Sequence, residues 1–145
     1  MKRIMFAIAF LLGGLFLLTG CTKNYISMPY TKFVETFNKK EGYIVKDITL
    51  TTGSVFERAY LAGVEDIQFV YYEFKSTEEA RNYVKENYYD RKNYSYDDKG
   101  SYITVNCTDA MYFNLVQVDK MVLEGVSDNY SDKGTINGIF KELGY

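Results

Sequence analysis

The chain begins Met1-Lys2-Arg3, continues in an apolar run from Ile4 to Leu18, and closes that run on Thr19-Gly20-Cys21. Two basic residues, an apolar stretch of roughly 15 residues and small residues before a cysteine fit the three regions of an export signal. This opening constrains all that follows it. The chain has two cysteines, so modification of Cys21 leaves Cys107 as a lone thiol and denies the folded part any internal disulfide. Its stability must then come from packing. Loss of residues 1–20 from the 145 leaves 125, enough to bury a core in a single domain. An uncleaved membrane helix is the rival reading, because Ile4 to Thr22 is long enough to supply the roughly 17 residues needed to cross a bilayer. Gly13-Gly14 speaks against it, each glycine costing about 1 kcal/mol in a helix relative to alanine.

Residues 22–29 are short and polar and read as a tether, with the domain spanning 30–145. Tyr30, Phe33, Val34 and Phe37 recur at helical spacing, and Gly42 supplies a left-handed stop with Tyr43 beyond it. A helix is therefore expected over about 30–41. Tyr43 to Leu50 reads as a strand, broken at Thr51-Thr52-Gly53-Ser54. Tyr60 to Val64 and Ile67 to Phe74 read as strands joined by a turn at Glu65-Asp66, the second being rich in β-branched and aromatic residues. Ser76-Thr77-Glu78-Glu79 is a capping box, and Ala80, Tyr83, Val84 and Tyr88 form one apolar face, so a helix should cover 77–88. Tyr89 to Gly100 is polar and aromatic and reads as the longest loop. Three strands follow as a meander, Tyr102 to Cys107, Met111 to Val118 and Met121 to Val126. The last helix is capped by Ser131 or Asp132 and carries Ile136, Ile139, Phe140 and Leu143 on one face. Gly144 ends it, with Tyr145 placed to pack on Phe140 in a Schellman turn. The expected fold is α+β, an antiparallel sheet of about five to six strands packed by about three helices.

Charge and residue types narrow the chemistry. Lys2 and Arg3 depart with the signal, leaving fifteen basic against nineteen acidic side chains, a formal charge of −4. That balance argues against nucleic acid and against a polybasic contact with anionic lipid. The chain has no histidine, which removes the commonest general base and metal ligand. No signature spacing supports a serine-lysine dyad. The acidic pairs Glu65-Asp66, Glu78-Glu79 and Asp97-Asp98 read as a turn, a helix N-terminus and a loop. Asp90 to Gly100 and Asp128 to Gly134 are rich in oxygen ligands but lack the calcium-loop pattern. Gly134 and Gly138 have small-residue spacing, for which close packing on a strand is the ordinary reason. Cys107 shares an alternating face with Ile103 and Val105 and reads as a buried thiol. No catalytic residue, metal ligand or cofactor is expected.

Tyrosine is the remaining hint of a surface. The chain has 15 tyrosines and no tryptophan. Tyr71, Tyr72, Tyr83 and Tyr112 fall on core or core-edge positions. Tyr88, Tyr89, Tyr94 and Tyr96 cluster beside Asp and Asn side chains, where rigid amphipathic rings suit protein contacts or stacking on sugars. The competing reading is that these rings cover the sheet edge.

Leu18-Thr19-Gly20-Cys21 is similar at all four positions to the lipobox of bacterial lipoproteins, whose cysteine sulfur receives a diacylglycerol and whose signal is cut just before it. With the Phe-rich first helix ending in Gly42-Tyr43, the strand Tyr72-Glu73-Phe74 leading to the Ser76 cap, and Lys141-Glu142-Leu143-Gly144-Tyr145, the chain resembles small uncharacterised lipoproteins of Gram-positive, clostridia-like bacteria. The resemblance implies a location, not a reaction: lipid on Cys21 at the extracytoplasmic face of the cell membrane. Two acyl chains anchor stably, at about 0.8 kcal/mol for each buried methylene. The expectation is a non-enzymatic module that binds a membrane or envelope protein. The alternatives are a glycan or peptide module using Tyr88 to Tyr96, and an enzyme with an unrecognised carboxylate site.

Overall fold

The structure, a computed structural model, describes residues 23–50 and 55–145, without the side chain of Thr108. The export signal, Cys21 and the break at Thr51 to Ser54 lie outside the described residues. In chain order the elements are α1 (Tyr30–Asn38), β1 (Ile44–Asp47), β2 (Phe56–Val64), β3 (Ile67–Phe74), α2 (Thr77–Tyr88), β4 (Tyr94–Asp98), β5 (Tyr102–Thr108), β6 (Tyr112–Val118), β7 (Met121–Ser127) and α3 (Lys133–Leu143), the last entered through a short 3-10 turn at Tyr130–Asp132. All seven strands join one antiparallel sheet in the order β1-β2-β3-β7-β6-β5-β4. Among the described residues the α+β architecture and the three helices match expectation, and the strand count exceeds it by one.

The extra strand is β4, in the segment expected to be a loop. Its alternation is real but only one side of it is apolar. Tyr94 and Tyr96 join the apolar cluster under α2, while Ser95 and Asp97 are exposed. An outer face of Ser and Asp hides the period that an apolar stripe would have shown.

The helices lie on both sides of the sheet, so each face carries its own core. On one side Phe33 and Phe37 of α1 and Ile136, Phe140 and Leu143 of α3 pack on Phe69, Val116 and Leu123. On the other, Ala80, Val84 and Tyr88 of α2 pack on Ile103, Val105, Phe113, Leu115 and Val122. Each fully buried large side chain contributes about 1.5–3 kcal/mol, which replaces the missing disulfide. Cys107 is free and 3% exposed in the second core.

One row of register partners shows how the helices divide the sheet. Across all seven strands it runs Val45, Ala62, Phe69, Gly125, Asn114, Asn106, Ser95. Residues under α1 and α3 are apolar or small as far as Gly125; past it they turn polar, Asn114 still meeting Asn137 of α3. Among the described residues, the sheet face over Ser95, Thr104 and Asn106 on that side is left uncovered by helix, while Tyr25 lies on Tyr102 of β5.

The helix ends explain themselves locally. The Ser76 Oγ accepts a hydrogen bond from the Glu79 N–H at 3.1 Å, the cap its spacing predicts. The N–H of Tyr145 donates to the Phe140 carbonyl at 2.8 Å and that of Gly144 to the Lys141 carbonyl at 3.2 Å, a Schellman turn with Gly144 at φ 110°. The ring of Tyr145 lies against Tyr25, 5.5 Å between centroids. Close packing expected at Gly134 and Gly138 is absent, since a Cβ at either would meet nothing within 4 Å. The tight glycine is Gly125, beneath α3.

Candidate functional site

Residues 23–29, read as a tether, are seated on the domain. The Tyr25 ring packs on Tyr102 at 4.6 Å and on Tyr145 at 5.5 Å. The Tyr145 hydroxyl donates to the Ile26 carbonyl at 2.8 Å, and the Tyr71 hydroxyl donates to the Met28 carbonyl at 3.0 Å. Met28 is 4% exposed, and Pro29 opens α1 in an extended conformation suited to that position. Burial drives the Tyr71 and Tyr145 hydroxyls well above the ordinary tyrosine range, so both stay protonated donors. A short polar peptide is thus held as a strap by side chains from β3 and the C-terminus.

Three grooves flank this strap among the described residues, one of them, about 370 Å³, between Asn24 to Pro29 and Lys32, Leu143 and Gly144. A larger one, about 480 Å³, has Ser27 to Pro29 as one wall and Tyr30, Arg58, Tyr71, Glu73, Asp119 and Lys120 around it. Arg58 donates to Glu73 at 2.9 Å and lies 4.7 Å above the Tyr30 ring, which stacks on Tyr60 at 5.4 Å. Lys120 faces Glu57 at 4.0 Å. Its cations are paired and its phenols are packed. The third groove, about 290 Å³, lies on the uncovered sheet face and is lined by Lys23, Tyr25, Thr104, Asn106, Asn114 and Asn137 among others. The Asn137 Oδ1 accepts from the Tyr112 hydroxyl at 2.6 Å and from the Asn114 amide at 3.3 Å. These residues were not singled out from the sequence. Their signal was the polar phase of β5, Tyr102, Thr104 and Asn106, alternating with Ile103, Val105 and Cys107.

The four tyrosines expected to form a surface separate into two pairs. Tyr88 is 8% exposed and stacks on Phe113 at 5.1 Å and on Tyr94 at 5.8 Å. Both belong to the core under α2, with Arg91 over them at 5.4 and 5.5 Å. Tyr89, 55% exposed, meets Tyr96 edge-on at 5.1 Å at the β4 edge of the sheet. Cys21, the expected lipidation site, lies outside the described residues.

A buried carboxylate went unnoticed in the sequence. Glu124 on β7 sits in register between Val70 and Leu115, 8% exposed, among apolar partners. Its Oε1 accepts hydrogen bonds from the Tyr83 and Tyr88 hydroxyls, each at 3.1 Å. Burial raises its pKa, which the two phenol hydrogen bonds and the charge of Arg91 oppose. The same burial, with the charge of Glu124, raises Tyr72 to about 12 and carries Tyr83 and Tyr88 further. The phase of β7 gave the clue: Glu124 alternates with Leu123 and shares its side of the strand with Val122 and Val126. None of the strap grooves is lined by it, and its hydrogen bonds to Tyr83 and Tyr88 tie α2 to the sheet. Among the described residues no group of three His, Cys, Asp or Glu side chains comes together to hold a metal ion, and no helix is long and apolar enough to cross a membrane.

Comparison with protein-family models, with curated proteins and with solved structures finds no match to this chain.

Proposed function

We propose that the chain is a lipoprotein, anchored through diacylglycerol on Cys21 at the extracytoplasmic face of the cell membrane, whose domain binds a membrane or envelope protein without catalysing a reaction. The observation that carries this reading is Leu18-Thr19-Gly20-Cys21 placed directly before the strap. A free tether from Cys21 to Tyr30 would reach about 30 Å. Seating the chain from Lys23 onward removes most of that reach and holds the domain within a thin layer above the bilayer, where a partner must also lie. The paired charges and packed phenols of the larger groove suit recognition better than acid-base chemistry.

Crosslinking in intact cells followed by purification tests the reading. A single stoichiometric envelope protein is expected; a robust catalytic turnover lost on substituting one carboxylate would replace it. One observation favours a second reading, a glycan or peptide module: the pair formed by exposed Tyr89 and half-buried Tyr96. Saturable glycan binding abolished by Tyr89→Ala and Tyr96→Ala would move the assignment there.

A further inference from the structure

Because the strap ends beside the uncovered sheet face, we infer that this face, over β4 and β5 next to α3, is the surface the domain lays against the phospholipid headgroups of its own membrane. The inference rests on the anchor proposed above. Lys23 lines the groove that Thr104, Asn106, Asn114 and Asn137 share. Two residues of extended chain from Cys21 to Lys23 span at most about 7 Å. The headgroup layer of one leaflet is of similar depth, about 5–7 Å. A glyceryl thioether at the hydrocarbon boundary therefore brings Lys23 and the groove it borders to the outer edge of the headgroups, and the hydroxyl contacts along the strap keep the domain from swinging away.

The chemistry of the face fits that neighbour. The mature chain carries a net negative charge, so most of its surface is repelled by anionic lipid. The uncovered face instead presents Ser95, Thr104 and Asn106, whose hydroxyls and amide are able to hydrogen-bond phosphate and ester oxygens, while Asn114 bonds Asn137 of α3 at its border. Its anion Asp97 is paired with Lys99 at 3.0 Å, and Lys23 adds a cation at the rim. Tyr25 and Tyr102 stand beside it, and tyrosine is enriched at the bilayer interface because its ring is amphipathic. The row of register partners gives the face its position: past Asn114, which Asn137 of α3 meets at 3.3 Å, its polar half runs out over β5 to the edge strand β4.

Collisional quenching on vesicles tests the orientation. The full acylated chain is reconstituted in vesicles of phosphatidylglycerol and phosphatidylcholine, with a fluorophore at Ser95→Cys or Asn106→Cys on the face, or at Glu86→Cys on α2 across the sheet. Cys107 is buried and Cys21 acylated, so the introduced thiol takes the label. Headgroup-located quenchers should act several-fold more strongly on labels at positions 95 and 106 than at 86, and Tyr25→Gly with Tyr145→Phe should level the three. Equal quenching in the acylated parent chain, or stronger quenching at 86, overturns the orientation while leaving the anchor standing. A mature chain without a diacylglyceryl group overturns both.

Discussion

Replacing Gly125 with alanine should destabilise the domain although the change adds one methyl group. A Cβ at that position would lie 2.8 Å from Phe140 Cε2, 3.0 Å from Ile136 Cγ2 and 3.0 Å from Phe69 Cε1. Carbon atoms in contact ordinarily sit about 3.5–4.0 Å apart, so three atoms must retreat by roughly 0.5–1 Å. None can do so by rotating into solvent, because Phe140, Ile136 and Phe69 are at most 3% exposed. Relief requires α3 to lift from the sheet, and overpacking of this kind costs about 1–3 kcal/mol. Against that stands the entropy recovered when glycine becomes alanine, about 0.4–1 kcal/mol. The net is a loss of about 1–2 kcal/mol. For a domain of this size each kcal/mol moves Tm by about 3–5 °C, so the variant should melt about 3–10 °C below the parent. Gly138→Ala is the matched opposite. Its Cβ meets nothing within 4 Å on the exposed side of α3, and glycine in a helix costs about 1 kcal/mol relative to alanine. That variant should melt about 3–5 °C higher. Circular dichroism melts of the mature chain carrying Cys21→Ser measure both. A Gly125→Ala protein as stable as its parent would refute the seating of α3 over β7.

Glu124→Gln should flatten the dependence of stability on pH. Burial raises the folded pKa of Glu124 above the unfolded one, so the folded chain holds the proton more tightly; that contribution is whole below about pH 4.3 and is lost as pH rises through the raised folded value. The parent should lose up to about 1.4 kcal/mol per pH unit within that window and the glutamine variant should not; urea titrations at a series of pH values showing parallel curves would contradict it. Tyr71→Phe removes the donor to the Met28 carbonyl and leaves that buried acceptor unpaired, a loss of about 1–3 kcal/mol. Amide exchange over residues 25–28 should quicken while that of α2 is unchanged, and exchange left as slow as in the parent would show that the strap is held elsewhere.

Much of the fold was readable because its elements bury apolar faces of regular period. The range of α2, Thr77–Tyr88, and that of β3, Ile67–Phe74, coincide with expectation, since each had a clear boundary and an uninterrupted stripe. α1 ends at Asn38 rather than about 41 because the chain already turns at Lys39 to Gly42, where Gly42 takes φ 83°. β4 escaped notice because its outer face is polar, and Glu124 because a carboxylate in phase with valines is readable as buried only once Tyr83 and Tyr88 are known to cover it. The strap was the least legible part. Nothing in Lys23 to Pro29 is periodic, and what holds it, Tyr71 and Tyr145, lies 43 and 119 residues along the chain from its bonded carbonyl.

The anchor is the premise beneath the location, the short reach and the orientation of the domain, and the intact mass of the protein extracted from its membrane tests it most directly. A chain that begins at Cys21 and carries a diacylglyceryl group on that residue is expected, with Cys21→Ser abolishing acylation and releasing or mislocalising the protein. A mature chain retaining residues 1–20, or one beginning elsewhere with Cys21 unmodified, would contradict it.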